Sequence, residues 1–414
     1  MAAANKKPAP AARWGSPHKP LAGRRLIRTL EDQLQTLRQK PCHGNRDLHF
    51  DHVVVAHLLA FFNPALKSLR EIEDLFQDRR LRKRFGSPRV PKSTLSDAQR
   101  VFDPQLLLPL LADLKARVKI QPHDARLDQL MRDLMVADGS FFTVAPRIAW
   151  ALYSKSNTPG HKAQSQKGNV RVDVHFDILR GVPTQAALSN GRVAEQDQLA
   201  ASLESGKLYL LDRGFQSYPL LGKIAGGDSD FLVRVRRSSR FEPLELRPLS
   251  AADLQAGVQS DARVRISGWR ARDLRDVPLR RVELAPYEPK GEPLRLLTNR
   301  LDLSAELIGL LYKHRWQVEL FFRWLKCMAG FKHFYSESPE GMTLQVYVAI
   351  IGTLLIALET GARPSAYDYS MMSMAAAGLV TSASARTILK RRRAERARAA
   401  VWQKAYNARK KKKG

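Results

Sequence analysis

The chain has 414 residues, 44% of them hydrophobic, and carries 69 Lys and Arg against 40 Asp and Glu, a formal net charge of +29. That length is too great for one compact unit and calls for about two to three domains with ample core. Two distant cysteines, Cys42 and Cys327, with no Cys-x-x-Cys pair, exclude a disulfide framework and a cysteine-based zinc site and fit a reducing cytosol.

Residues 1 to 40 hold 9 basic and 2 acidic side chains, and residues 390 to 414 hold 12 and 1, so the charge gathers at the two ends. A basic surface of this size draws polyanions, which makes nucleic acid the expected partner; solubilising tails are the plain alternative. The first 45 residues, rich in Ala, Pro, Lys and Arg, predict a mobile basic arm, and their lack of an apolar core argues against a secretory signal. Residues 46 to 125 turn helical in pattern: VVVAHLLAFF, then LKSLREIEDLF after the Asn63-Pro64 break, then STLSDAQRVF with Ser93 or Thr94 as its cap. The stretch RLRKRFGSPRVPKS reads as a basic loop leading into that last helix. A helix-turn-helix DNA reader and a plain helical subdomain with a solvated loop both fit.

From residue 130 the hydrophobic period changes. LMVAD is an apolar strand, NVRVDVHFDIL alternates, GVPTQAALS follows, VAEQDQLAASLE reads as a helix and KLYLLD is a strand again. Asp138 and Asp212 end the first and last of these strands, where an unpaired charge in an apolar run would cost several kcal/mol. Asp173, His175 and Asp177 share one face of the alternating strand, either as a metal site or as an ordinary polar face. The loop SKSNTPGHKAQSQKGN is basic and polar, a candidate DNA contact or simply solvated. Residues 238 to 303 alternate charged and β-branched residues and predict a β-rich insertion containing Trp269. Met342 to Leu358 is the most apolar run, yet it is short for a bilayer and includes Gln345 and two threonines, so it predicts a buried helix and no membrane span. Residues 361 to 414 form a C-terminal region with a basic tail.

The segment LLYKHRWQVELFFRWLKCMAG predicts one amphipathic helix. At roughly 100° per residue, Tyr312, Arg315, Glu319 and Lys326 fall within about 60° of each other, and Arg323 shares the stripe. Leu311, Val318, Phe321, Phe322 and Leu325 form a separate apolar arc. One carboxylate among cations on a face not needed for packing suits phosphate chemistry, in which the acid holds a metal ion and the cations hold a polyanion. Taken alone it equally fits a solvated helix face. Walker, Gly-x-Gly-x-x-Gly and His-Glu-x-x-His motifs are missing, so nucleotide hydrolysis and zinc proteolysis lack support.

The spacing Tyr-x2-Arg-x3-Glu-x6-Lys, together with Asp138-Gly139-Ser140 and Asp212-Arg213-Gly214-Phe215 in that order, resembles the DDE insertion-sequence transposases of the insertion-sequence-four family over roughly residues 130 to 360. The resemblance implies an α/β fold: a ribonuclease-H-like catalytic core over 126–360 with a β-rich insertion at about 238–303, preceded by an α-helical DNA-binding domain at 46–125. It implies that Asp138, Asp212 and Glu319 hold two Mg2+ ions, with Mn2+ able to substitute. Asp138 would bridge them, with Asp212 completing one site and Glu319 the other. Tyr312, Arg315 and Lys326 would contact DNA phosphates and Trp269 would hold a flipped base; Arg323, which the family pattern does not name, is a further candidate contact from its place on the stripe, and Arg213 is as readily a structural ion pair. The implied activity is cut-and-paste transposition on the inverted repeats of an element and on target DNA, by a homodimer on paired ends, in a prokaryotic cytoplasm at the nucleoid. A repurposed DNA-binding protein and a ribonuclease-H-like nuclease without strand transfer are the rival readings.

Overall fold

Apolar residues on every side of one short helix set the first layer of the structure, a computed structural model. It describes residues 30–411 except 39–47, 64–65, 86–87, 122–124, 132–133, 146–147, 154–166, 191–192, 267–268, 287–290, 329–333 and 377–378. The chain divides into two compact units, residues 1–117 with 328–414 and residues 118–327. In the first, α1 (Glu31–Arg38) precedes α2 (Phe50–Phe62), whose thirteen residues are all buried, as a helix without a polar face must be. Next come α3 (Leu69–Leu75), α4 (Arg79–Phe85), α5 (Lys92–Val101) and α6 (Leu108–Arg117). Ser68 and Glu71 form a capping box that starts α3. Two local expectations change. RRLRKRF is helical as α4 instead of loop, and residues 88–91 lie outside any helix. Helix α5 begins two to three residues early, capped by Pro91 (φ −61°, ψ 143°) without a side-chain bond, which leaves Ser93 and Thr94 inside its first turn.

The second unit opens with α7 (Asp128–Met131) and is built on one ten-stranded mixed sheet. Its strands are β1 (Leu134–Val144), β2 (Leu152–Tyr153), β3 (Lys167–Asp177), β4 (Val182–Ser189), β5 (Leu208–Leu211), β6 (Asp230–Arg234), β7 (Glu242–Leu246), β8 (Val258–Arg265), β9 (Leu279–Leu284) and β10 (Leu294–Thr298). The path is β2-β3-β1-β5-β6-β10-β9-β8-β7, with β4 also on β3. β3 runs antiparallel to β1 and β4, whereas β1, β5 and β6 are mutually parallel neighbours. This order and sense are consistent with a ribonuclease-H-like core. The β-rich segment prolongs the same sheet, because β10 pairs antiparallel with β6 and carries β9, β8 and β7 beyond it.

Both faces of the central strands are buried: Leu134, Val136, Leu208 and Leu210 on one side, Met135, Tyr209 and Leu211 on the other. Helices α8 (Glu195–Ala201) and α9 (Tyr218–Gly226) follow β4 and β5, and Leu199, Leu220, Leu221 and Ile224 complete a core cluster with Met135, Tyr209 and Phe231. A Cβ on Gly222 would lie 2.5 Å from the Asp273 Cβ, so glycine is what lets α9 approach the turn Trp269–Leu274. In the outer sheet Arg280, 1% exposed, makes a bidentate pair with Asp261 at 2.8 and 2.7 Å. After α10 (Ala251–Gln255) and β10, the unit closes with α11 (Ala305–Lys313) and α12 (Trp316–Met328).

From Met328 the chain rejoins the first unit. There α13 (Pro339–Thr360) packs on α2, α5 and α6, followed by α14 (Ala366–Ala376) and α15 (Ser382–Lys411). Gly352 permits the contact with α2, since a Cβ there would sit 2.3 Å from the Phe61 ring. By length and hydropathy α13 could cross a membrane, but 89% of its apolar window is buried inside the protein, as expected of a core helix.

Candidate active site

Strand register builds this site. β1 and β5 pair in parallel with a constant offset of 74 residues, Leu134 opposite Leu208 through Val136 opposite Leu210. Asp138 and Asp212 differ by the same 74, so they stand level where two neighbouring strands leave the buried part of the sheet. Adjacent strands lie about 4.8 Å apart. Asp138 accepts from the Gly139 amide at 2.9 Å. Asp212 caps the turn Arg213–Phe215 and accepts from the Gly214 amide at 2.7 Å.

The third element differs from a single continuous helix. Tyr312 lies in the last turn of α11 and Glu319 in the first turn of α12, while between them the His314 and Arg315 amides bond back three residues, to Leu311 and Tyr312, at 2.9 and 3.1 Å. Such bonds tighten the chain to about three residues per turn. Arg315 therefore sits at a break, yet stays with its neighbours. Its guanidinium lies 5.8 Å from the Tyr312 ring centre, is ion-paired to Glu319 and comes within 4.0 Å of Asp138. One cation thus links the acid on β1 to the acid on α12. Tyr312 is 7% exposed, and burial pushes its phenol up to about 12 against the pull of Arg315, so it stays neutral. Farther along α12, Arg323 and Lys326 are exposed, and the Lys326 ammonium lies 5.3 Å from the Phe142 ring centre. Trp269 opens the turn before β9, but its side chain lies outside the described residues, as does most of the basic loop 154–169.

The other acids on β3 have structural partners. Arg171 holds Asp173 at 2.9 and 3.0 Å, Ser202 meets His175 at 3.1 Å, and Asp177 accepts from the Arg180 amide at 2.8 Å and its guanidinium at 3.1 Å. The polar-face reading fits these three residues. Arg213 makes a long, exposed ion pair with Glu292 at 3.9 Å.

Residues 129–355, more than half the chain, match the family described as the transposase DDE domain. The chain belongs to that family. Among similar curated proteins, a putative transposase of Sinorhizobium fredii is 30% identical over 47% of this chain and 54% of its own length. A probable transposase for insertion sequence element IS5377 of Geobacillus stearothermophilus is 24% identical over 66% of this chain and 68% of its own, and the InsG transposase for insertion sequence element IS4 of Escherichia coli is 25% identical over 47% and 44%. The match therefore spans only about half the length of the first and third of these relatives. A solved piggyBac transposase synaptic complex with hairpin DNA covers 90% of this chain and 79% of its own at 13% identity and a TM-score of 0.37, a loose overall likeness.

Transposase DDE domains generally use divalent metal ions. The acids here suit one by chemistry, being hard oxygen donors. They also suit one by charge: burial first, and then the Asp212 carboxylate, push Asp138 up to about 7 against the pull of Arg315 and the Gly139 amide. A cation would relieve that repulsion. Among the described residues no three metal-type ligands converge on one point, and Glu319 is ion-paired with Arg315.

One acid of this DDE domain escapes sequence reasoning. Glu195, in the first turn of α8, reaches between the two aspartates: its carboxylate lies 3.1 Å from where a Cβ on Gly139 would stand and 3.6 Å from that on Gly214. Burial makes it a weaker acid than an ordinary glutamate, lifting its titration upward; Arg171 opposes this, and Asp173 and Asp212 add to it. The glycine after Asp138 and the glycine two places after Asp212 thus have a physical role. They leave room for carboxylates against the backbone. Nothing in the local pattern of VAEQDQLAA marks Glu195 except its place at the start of a helix that contacts both β1 and the turn after β5.

Proposed function

We propose that this chain is the transposase of an insertion sequence resembling insertion sequence four, acting through a ribonuclease-H-like core in which Asp138, Asp212 and Glu319 are the catalytic, metal-holding acids. The observation that carries the reading is the level placement of Asp138 and Asp212, with Glu319 joined to Asp138 through Arg315. The group held there is a pair of magnesium ions, replaceable by manganese. When bound, it acidifies an attacking hydroxyl and offsets charge on the leaving oxygen.

The protein's own part is positioning. Arg315 neutralises two of the acids, and its planar guanidinium with five donors could also grip two phosphoryl oxygens of a DNA phosphate at once. The Tyr312 hydroxyl, beside Arg315, is a ready donor as well. Arg323 and Lys326, exposed about one and two turns beyond Glu319, extend the positive track along the strand to be cut. Trp269 gives a stacking surface for a base turned out of the duplex. The helices over 46–125, with the basic α4 ahead of α5, read the element ends, and the arm over 1–45 and the region 361–414 add electrostatic attraction. A homodimer on paired ends, acting on chromosomal DNA in a prokaryotic cytoplasm, is the working form.

The test is magnesium-dependent release and joining of a labelled element end. Wild type should perform both, and Asp138→Ala, Asp212→Ala and Glu319→Ala should each lose both while still binding the end. Release without joining would make the protein a nuclease; variants equal to wild type would leave the acids without a catalytic role.

A further inference from the structure

Helix α15 carries more charge than its anchoring needs. It holds eleven Lys and Arg and one acid, Glu395. Its first half is fixed within the helical unit: Ala385 and Leu389 are buried with Met371 and Ala375, Arg386 pairs with Glu359, and Arg393 donates to Asp368 at 2.9 Å and to the Thr360 carbonyl at 2.6 Å. Arg392 and Arg396 lie over the Tyr367 ring. At roughly 100° per residue these anchoring positions centre on one face. On nearly the opposite face, about 140° round, lies a second stripe of Arg391, Arg398, Trp402, Tyr406 and Arg409.

From Arg396 to Tyr406 every residue whose exposure is described is open to solvent. Val401 is 70% exposed, Trp402 64% and Tyr406 50%, with the two rings stacked at 5.4 Å and 14°. No described core residue covers them. Arginine alternating with aromatics that each carry a donor at the tip is a surface for phosphate oxygens. From Arg391 to Arg409 the stripe spans about 27 Å at 1.5 Å per residue, more than the ~12 Å width of a major groove, so it can meet phosphates of both strands. A second copy of the helix is a poor occupant. It would bring ten net positive charges against ten, with three apolar residues to hold the pair.

We propose that the outward stripe of α15 is a sequence-independent clamp for the backbone of duplex DNA, with Trp402 and Tyr406 seated against the phosphates between arginines. This rests on the reading of the protein as DNA-acting and adds a surface outside the catalytic core. The full chain is tested as wild type, as Arg391→Gln/Arg398→Gln/Arg409→Gln and as Trp402→Ala. Binding to a fluorescent duplex of unrelated sequence is followed by anisotropy across salt concentrations, with circular dichroism checking that the helix persists. Each lost phosphate contact lowers the slope of log affinity against log salt by about 0.9, so the triple variant should lose about 2 to 3 in slope and ten- to hundredfold in affinity near 0.15 M salt. Trp402→Ala should weaken binding severalfold with nearly the same slope. Strand joining by the variants should recover at saturating DNA. If wild type binds and joins DNA while both variants match it in affinity and slope, the clamp is wrong and the catalytic reading stands. The clamp is equally wrong if the variants change only the oligomeric state in light scattering. If wild type binds no duplex, both readings fall.

Discussion

Asp138→Asn should stabilise the metal-free protein, and by an amount that depends on pH. In the folded chain the carboxyl is lifted from its ordinary 3.8 to about 7, chiefly by burial and then by Asp212. Because the folded value is the higher one, the native state holds its proton more tightly than the unfolded chain, so stability falls as pH rises from about 4 and the full penalty is present above about 7. That lift corresponds to about 4 kcal/mol, and the partial solvent access of the side chain, 17%, brings a realistic figure to about 2 to 4. Asparagine keeps the shape and removes the charge. In chelator at pH 8 the variant should melt roughly 5 to 10 °C above wild type. At pH 5 that gap should shrink by more than half, since both proteins then carry a largely neutral group. Adding magnesium should raise the melting temperature of wild type and not that of the variant. A gap independent of pH, or a variant less stable than wild type at pH 8, would refute the electrostatic account of the site.

Glu195→Gln removes a negative neighbour and should move the titration of Asp138 downward, read by carboxyl NMR of the metal-free protein; an unmoved midpoint would mean that the two groups are not coupled. Arg315→Gln frees Glu319 and leaves Asp138 without its nearest cation, so end joining should fall by at least a hundredfold while end binding in gel shifts is kept. Arg280→Ala strands the buried Asp261 carboxylate and should cost about 3 to 5 kcal/mol in urea unfolding, whereas a loss under 1 kcal/mol would show that Asp261 finds water. Gly352→Ala drives a methyl into the Phe61 ring and should cost about 1 to 3 kcal/mol of stability in the helical unit without altering the acids.

Local pattern sufficed where the physics is local. The short apolar runs LMVA and LYLL read as buried strands, and Asp138 and Asp212 stand out through the Asp-Gly-Ser and Asp-Arg-Gly-Phe motifs that follow those runs; the excess of Lys and Arg at both ends is a fact of composition that no fold can undo. Tertiary structure decided what depends on distant partners. The 74-residue register that sets the two aspartates level comes from the pairing of β1 with β5, and the place of Glu195 comes from α8 lying over both. The turn at His314 and Arg315 breaks the regular 100° geometry through two hydrogen bonds that residue types alone do not dictate. Helix α13 is apolar all round, so its sequence requires burial without naming a partner, and only the folded chain shows it against α2, α5 and α6. A pattern of hydrophobicity fixes which side of an element avoids water, and what fills that side is chosen by packing across the whole chain.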